Sequence, residues 1–482
     1  MHYLSPEHYS DRGREGLAQF LEEVAAEARK TSQSQIASIV LSVRHIAPLA
    51  VLQSIFEPSE IHAYMEHPQK EYAIAAAEAI CNEDHRGGNR FQSMRQTAES
   101  WLSHTWCTGD AAPCRKVPRV FFRFNFEEHT FLSSFAPASM FVPRWIVIKD
   151  ADTHLAVANT LIKPGDDLLP HIERIWGAYQ KFQSYEYTQV DTASKWAKQE
   201  SQNTRSILPA LPTGPYYESI VERGLKMLEG GNMRKIVLAQ AVDQTISTRE
   251  LPFRALNRLR ERYPTCLTYS WNTNSAENFI GSSPEQLCRI ESRTLTSEAI
   301  AGSAQRGNTP TEDARIAANL LQSDKNLREH EWVLDAIVSG LQKAGLKPEY
   351  SPIPSLRTLP NIQHLYTPVK APLTKDQHLL DLVGQLHPTP AIAGYPTAEA
   401  IQSIRELEPF ERGPYAGGIG YCNASGEGVC FVTLRCALLS PPIARLYAGA
   451  GIVKGSTPGG ERREIEWKLQ ALQCGLEEHP PE

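Results

Sequence analysis

Trp145-Ile-Val-Ile-Lys149, Asp150-Ala-Asp-Thr153 and Leu155-Ala-Val-Ala-Asn-Thr-Leu-Ile162 follow in close succession. The first and last pieces are apolar runs of strand length, and the polar piece between them has turn chemistry. The stretch therefore reads as a β-hairpin. The same signature recurs later in the chain. Cys266 to Trp271 and Glu277 to Gly281 form a second hairpin, and Gly418 to Tyr421, Gly428 to Leu438 and Arg445 to Gly449 read as further strands. Ile36 to Val43 and Lys235 to Val242 are apolar strands. Arg119 to Phe126 alternates, which places Phe122, Phe124 and Phe126 on one face. Strands meet in hairpins more often than through β-helix-β crossovers. The expected class is therefore α+β, a mixed α/β fold of mostly antiparallel sheets with helices outside.

Helices fit between these strands. The first 30 residues are amphipathic, and Asp167 to Phe182 and Tyr216 to Leu228 read as helices, the latter closed by Glu229-Gly230-Gly231. Thr309-Pro310-Thr311-Glu312 is a capping box with proline at the first helical position. Its helix runs to Gln322, a second from Asp324 to Leu341, another ends at Arg405 to Glu408, and Glu461 to Leu476 closes the chain. The polar stretch from Tyr187 to Thr213, ending Leu211-Pro212-Thr213-Gly214-Pro215, separates an N-terminal part (1–205) from a C-terminal part (212–478).

Composition narrows the function. The 482 residues are 41% apolar and 22% charged, which excludes disorder over most of the length. Lys and Arg total 49 against 55 Asp and Glu, a net charge of −6. Proteins that live on nucleic acid or anionic membranes are normally basic, so a small-molecule substrate is expected, with no nucleic acid and no membrane. Nine scattered cysteines without a C-x-x-C pair read as reduced thiols. The most apolar stretch, Gln35 to Phe56, is interrupted by Arg44, His45 and Pro48, and the start lacks a signal-peptide pattern. The expected location is the cytoplasm.

Several residues invite chemistry, each with a plainer alternative. Gly449-Ala450-Gly451 and Ala416-Gly417-Gly418-Ile419-Gly420 open no helix directly after a strand, so close backbone approach suits them better than phosphate binding. Glu461, Glu464 and Lys468 share a face of the closing helix, at the edge of the stripe Ile465, Leu469, Leu472 and Leu476. Glu464 and Lys468 are either a solvated i,i+4 pair or half-buried groups facing a cleft. Glu329 lies on the buried face marked by Val333, Ala336 and Ile337, where a carboxylate needs a partner or a metal. The neighbouring His330 reads as a satisfied core histidine. Two glutamates from two helices suit Mg²⁺, and no His/Cys set has zinc spacing. Lys235 opens an apolar strand; it either snorkels or, desolvated, serves as a base. Glu285, where a strand breaks at Pro284, is either a turn residue or a rigidly held general acid.

In order along the chain stand Lys235-Ile-Val-Leu-Ala, Gly281-Ser-Ser-Pro-Glu-Gln-Leu, Ala301-Gly-Ser-Ala304, Glu329-His-Glu331 and His387-Pro-Thr-Pro-Ala-Ile-Ala-Gly394. Thr433-Leu-Arg-Cys436, Ala448-Gly-Ala-Gly-Ile-Val453 and Glu461-Arg-Arg-Glu464 follow. This set resembles the chorismate-utilising enzymes, and among them the isochorismate synthases, over Pro215 to Leu476. Before that the resemblance is confined to Phe122 to Phe126 and Phe141-Val-Pro-Arg.

The resemblance implies one large fold with two stacked antiparallel sheets and helices outside, to which the N-terminal part contributes strands. It implies chorismate as substrate, with Lys235 activating a water for ring carbon 2 and Glu285 protonating the hydroxyl leaving ring carbon 4. It further implies Mg²⁺ on Glu329 and Glu464 with Glu461 nearby, and the substrate's carboxylates on Arg435, Lys468 and the backbone around Gly302 and Gly449. His364 matches a histidine near the ring. A base and an acid working at one pH require a lysine pushed toward neutral and a glutamate pushed toward protonated. The family's anthranilate synthases carry glutamine where Lys235 stands, so no glutamine amidotransferase subunit is expected. Salicylate synthases, which also eliminate pyruvate, rank second, and a chorismate-binding paralogue without turnover is the non-enzymatic alternative. The family's common aspartate in the run before Glu329 is replaced here by Asn326.

Overall fold

The computed structural model describes residues 2–4, 13–43, 45–55, 60–109, 116–130, 135–184, 208–211, 216–246, 252–273, 277–359, 362–374 and 377–476. The N-terminal strands are β1 (His2–Leu4), β2 (Gln35–Ser42), β3 (His62–His67), β4 (Tyr72–His85), β5 (Thr105–Thr108), β6 (Arg119–Phe124), β7 (Ala138–Asp150) and β8 (Thr153–Ile162). After the 185–207 stretch come β9 (Lys235–Thr245), β10 (Leu267–Asn272), β11 (Asn278–Ser283), β12 (Gln286–Glu291), β13 (Thr294–Gln305), β14 (Glu349–Tyr350), β15 (Ser355–Thr358) and β16 (Ile362–Pro372). The last are β17 (Gly394–Tyr395), β18 (Gly418–Asn423), β19 (Gly428–Val432), β20 (Cys436–Ser440) and β21 (Ile443–Val453). The helices are α1 (Gly13–Thr31), α2 (Pro48–Ile55), α3 (Arg90–Ser103), α4 (Leu169–Ser184), α5 (Tyr217–Gly230), α6 (Pro252–Arg262), α7 (Pro310–Leu321), α8 (Asp324–Lys343), α9 (Leu379–Leu386), α10 (Thr397–Leu407) and α11 (Pro458–Leu476).

One hydrogen-bonded network links the strands, antiparallel except where β5 meets β1 and β2. One arm runs β5, β2, β8, β7, β4, β3, β10, β11, β20, β21, β9. The other leaves β7 for β6, β18, β19, β12, β13 and β16. The long strands β4 and β7 belong to both arms. Trp145–Asp150 of β7 pairs with β8, while Ala138–Phe141 pairs with β6. On β4 the changeover falls at Glu78, whose φ is +60°, next to a register shift between Ala79 and Cys81. Such an irregularity bends a strand and lets it serve two sheet surfaces. Both arms contribute to one apolar core, in which Phe141 of β7 meets Trp271 of β10 edge-on, ring centroids 5.3 Å apart. No described helix is long and apolar enough to cross a membrane.

Local chemistry explains most elements. The opening hairpin closes from Asp150 to Thr153, with Ala151 at φ +49° in the turn. The Thr309 hydroxyl accepts a hydrogen bond from the Glu312 N–H at 3.2 Å and starts α7. Ser323 caps α8 in the same way through Asn326.

The differences from expectation also have physical reasons. Residues 2–4 form a strand beside β5, and helix α1 begins only at Gly13. Strand β7 starts at Ala138, because pairing with β6 and β4 extends it beyond the apolar run. Gly231, after α5, is extended, so that helix ends without a left-handed glycine. The stretch Gly428–Leu438 is two strands. Arg435 sits at φ +46° between them, and the break at Thr433–Arg435 hands the chain from one arm to the other. The Tyr187–Thr213 linker lies mostly outside the described residues.

Candidate active site

Nine of the ten residues singled out in the sequence line one cavity: Lys235, Glu285, Gly302, Glu329, His364, Arg435, Gly449, Glu464 and Lys468. They come from β9, the β11–β12 junction, β13, α8, β16, the β19–β20 break, β21 and α11. Only the assembled sheet brings them together.

Lys235 is the first residue of β9, paired with Val453 on one side and Tyr395 on the other. It is 1% exposed, and its Nζ stands 2.8 Å from Glu329 Oε1. Gly451 lies beneath this pair. A Cβ there would come within 2.6 Å of Glu329 Oε1 and 2.9 Å of Lys235 Cε, so the pair forms only above a glycine. Further along β21 the Gly449 carbonyl accepts a hydrogen bond from Lys468 Nζ at 2.8 Å. The same ammonium donates to Glu464 Oε1 at 2.7 Å. The i,i+4 pair on α11 is thus real, but it faces the cavity.

Glu285 is 5% exposed. Its N–H donates to Ser283 Oγ at 3.2 Å, and its carbonyl accepts from the Val432 N–H at 3.1 Å. Burial, reinforced by the nearby Glu298 carboxylate, raises its pKa to about 8 against the pull of Lys235, Arg357 and Lys468. That shift favours the protonated carboxyl at neutral pH, the form a proton donor needs.

Gly302 has φ +74° at a register shift in β13, a conformation that other residues rarely adopt. A Cβ there would come within 3.0 Å of Asn326 Cβ, and the Asn326 side-chain amide donates to Ser323 Oγ at 2.8 Å and so serves the start of α8. Ser303, next along, contacts His364 Nδ1 at 3.0 Å, while His364 Nε2 faces Arg435 Nη2 at 3.4 Å. A guanidinium only donates, so Nε2 accepts and Nδ1 carries the proton given to Ser303. Burial, then Arg435, Lys468 and Arg357, hold the His364 pKa well below the ordinary histidine value. Arg435 Nη1 is buried with no hydrogen-bond partner among the described residues. An unsatisfied guanidinium nitrogen in a cavity wall is suited to an anionic ligand.

Glu461 does not line the cavity. It is buried one turn before Glu464, with Lys325 Nζ 3.5 Å away. Burial first, then Glu464, raises its pKa, and Glu329 adds to the effect. The three carboxylates thus feel one another, and a donor set of carboxylate oxygens fits a hard divalent cation. Among the described residues no three His, Cys, Asp or Glu side chains converge as a ready cluster, and Glu329 and Glu464 each hold a lysine instead. His330 is a core histidine, 2.8 Å from Thr367 Oγ1. His387 is likewise buried, against Phe124, with Nε2 3.3 Å from the Phe126 carbonyl.

Sequence reasoning missed Tyr415, which also lines the cavity, and gave Ala391 and Ile392, two further lining residues, only as part of the run His387–Gly394. Tyr415 follows a buried pair in which Arg412 grips Glu408 and donates at 2.8 Å to the carbonyls of Ile392 and Val237. Nothing in the local pattern marks it. Its place depends on strands that meet only in the fold.

The family model described as chorismate binding enzyme matches residues 19–477. The chain belongs to this family of chorismate-binding enzymes. It is 30% identical over 397 residues to the salicylate biosynthesis isochorismate synthase of Pseudomonas aeruginosa, covering 81% of this chain and 80% of the relative. It is 27% identical over 422 residues to the isochorismate synthase MenF of Bacillus subtilis, covering 86% and 87%. Among solved structures, the menaquinone-specific isochorismate synthase MenF from Escherichia coli superposes with a TM-score of 0.72. That match covers 96% of this chain and 100% of that one at 22% identity, a likeness of fold.

Proposed function

We propose that the protein is an isochorismate synthase, interconverting chorismate and isochorismate. The observation that carries this reading is a basic side chain and a protonated acid in one cavity: Lys235, and Glu285 with its pKa raised to about 8. Chorismate is a dianion, and Arg435 and Lys468 supply fixed positive charge in a protein of net charge −6. Lys235 takes a proton from the water that adds at ring carbon 2. Glu285 gives its proton to the hydroxyl leaving ring carbon 4, which departs as water while the ring double bonds shift. One water enters and one leaves, so substrate and product are isomers. The neutral His364 and Tyr415 wall the ring without adding charge.

Mg²⁺ belongs to this proposal. Glu329 and Glu464, with Glu461 behind, would hold it, their lysines giving up the oxygens. Bound there it would supply positive charge for the ring carboxylate. The relatives' names point to salicylate biosynthesis in one case and menaquinone in another, and the same product suits a quinone or a siderophore route. A cytoplasmic location is part of the same reading, supported by the scattered, unpatterned cysteines of the sequence.

The test is incubation of the purified protein with chorismate and Mg²⁺ near neutral pH, following both isomers, pyruvate and salicylate. A plateau containing chorismate and isochorismate, reached from either side, is expected. Stoichiometric pyruvate at early times would overturn the assignment.

A further inference from the structure

Glu298 of β13 and Arg357 of β15 lie far apart in sequence and outside the cavity wall. They form a bidentate pair, Arg357 Nη1 to Glu298 Oε1 and Nη2 to Oε2, both at 2.8 Å. The guanidinium lies over the Tyr366 ring, 4.1 Å from its centroid, which fixes its plane. Each partner also makes a hydrogen bond to the backbone flanking Glu285. Arg357 Nη1 donates to the Pro284 carbonyl at 2.9 Å. Glu298 Oε1 accepts from the Gln286 N–H at 2.7 Å.

We propose that Glu298 and Arg357 are positioning residues for Glu285, a clamp that grips the chain on both sides of the proton donor and sets where its carboxyl points. The proposal rests on the reading of Glu285 as the acid. A pair that served stability alone would have no need to converge on residues 284 and 286. The clamp also sets the field at the carboxyl, since Glu298 is the like charge that raises its pKa. The charged groups facing Glu285 are Glu298, Lys235, Arg357 and Lys468, and only Glu298 opposes ionisation.

Two near-isosteric variants separate the parts of the clamp. Glu298→Gln keeps an acceptor for the Gln286 N–H and removes the charge. Arg357→Lys keeps the charge and loses the fork. Infrared titration of the protonated Glu285 carbonyl band, assigned by its absence in Glu285→Gln, reads the acid directly and needs no turnover. In Glu298→Gln its midpoint should fall by about one pH unit or more, and the alkaline limb of kcat should move with it. In Arg357→Lys the midpoint should hold while kcat drops about 10–100-fold with KM unchanged, the signature of a misplaced group. Folded variants that both keep the wild-type midpoint and kcat would overturn the proposal. So would a loss of thermal stability with no change in either. Should the wild type form no isochorismate, the reaction assignment falls, and the infrared midpoint still decides the clamp.

Discussion

Lys235 and Glu285 are buried to nearly the same degree, at 1% and 5% exposure, yet their surroundings handle charge in opposite ways. The strand pair β9–β21 presents Lys235 to a carboxylate 2.8 Å away. The β11–β13 region presents Glu285 to another carboxylate, Glu298, whose own partner is turned toward the backbone. Burial alone would push both groups toward neutrality. At Glu285 the like charge of Glu298 adds to burial and favours the protonated carboxyl, whereas Lys235 meets an opposite charge. One cavity therefore sets a lysine against a carboxylate and, beside it, an acid against a like charge.

The largest effect that breaks this contrast is metal removal. Glu329 and Glu464 would then stay locked to Lys235 and Lys468, so EDTA should stop chorismate turnover and added Mg²⁺ should restore it. Activity undiminished by exhaustive chelation would remove the metal from the scheme. Next is Lys235→Ala, expected to lower kcat by about 10²–10⁴-fold while calorimetry still detects chorismate binding. Near-wild-type turnover in that variant would exclude Lys235 as the base.

The acid side is read through pH. Glu285 must carry its proton to donate it, so activity should fall as pH rises through about 8. Its pKa is raised in the fold, so its contribution to stability is full below the unfolded value of about 4.5 and is lost as pH rises through about 8. Glu285→Gln should therefore abolish the alkaline limb and flatten the dependence of the melting temperature on pH across that window. An unchanged limb would mean that another group sets it. The smallest effect is expected at Gly451→Ala, where the new methyl collides with the Lys235–Glu329 pair. The expected cost is about 1–3 kcal/mol, read by thermal melting. A neutral result would show that the pair is mobile.

Much of this was legible from local pattern. Turn residues and apolar runs located the hairpins at 145–162 and 266–281, and Thr309 and Glu312 marked a helix start that the hydrogen bonds reproduce. The cavity residues were individually ambiguous and became legible as an ordered set. Tyr415 and the Glu298–Arg357 clamp were invisible, because their roles arise from strand register. Arg357 lies opposite His364, which lies opposite Ser303, and no short-range signal encodes that alignment. The break at Arg435 was missed for a related reason. A non-glycine residue at positive φ is imposed by tertiary demand against its local preference.

The sharing of strands between the two arms bears on how the chain is made. Strand β6 has its partner β18 about 300 residues downstream, and β3 waits for β10. At a synthesis rate of about 5–20 residues per second, β6 leaves the ribosome about 15–60 s before its partner exists. Its open edge, Arg119-Val-Phe-Phe-Arg-Phe124, offers unpaired backbone and apolar side chains throughout that interval. Within that run only two arginines carry charge that could discourage pairing with a neighbouring nascent chain. Expression at low temperature with abundant chaperone should therefore raise soluble yield far more than any change to the cavity, and a chain stopped before β18 should aggregate.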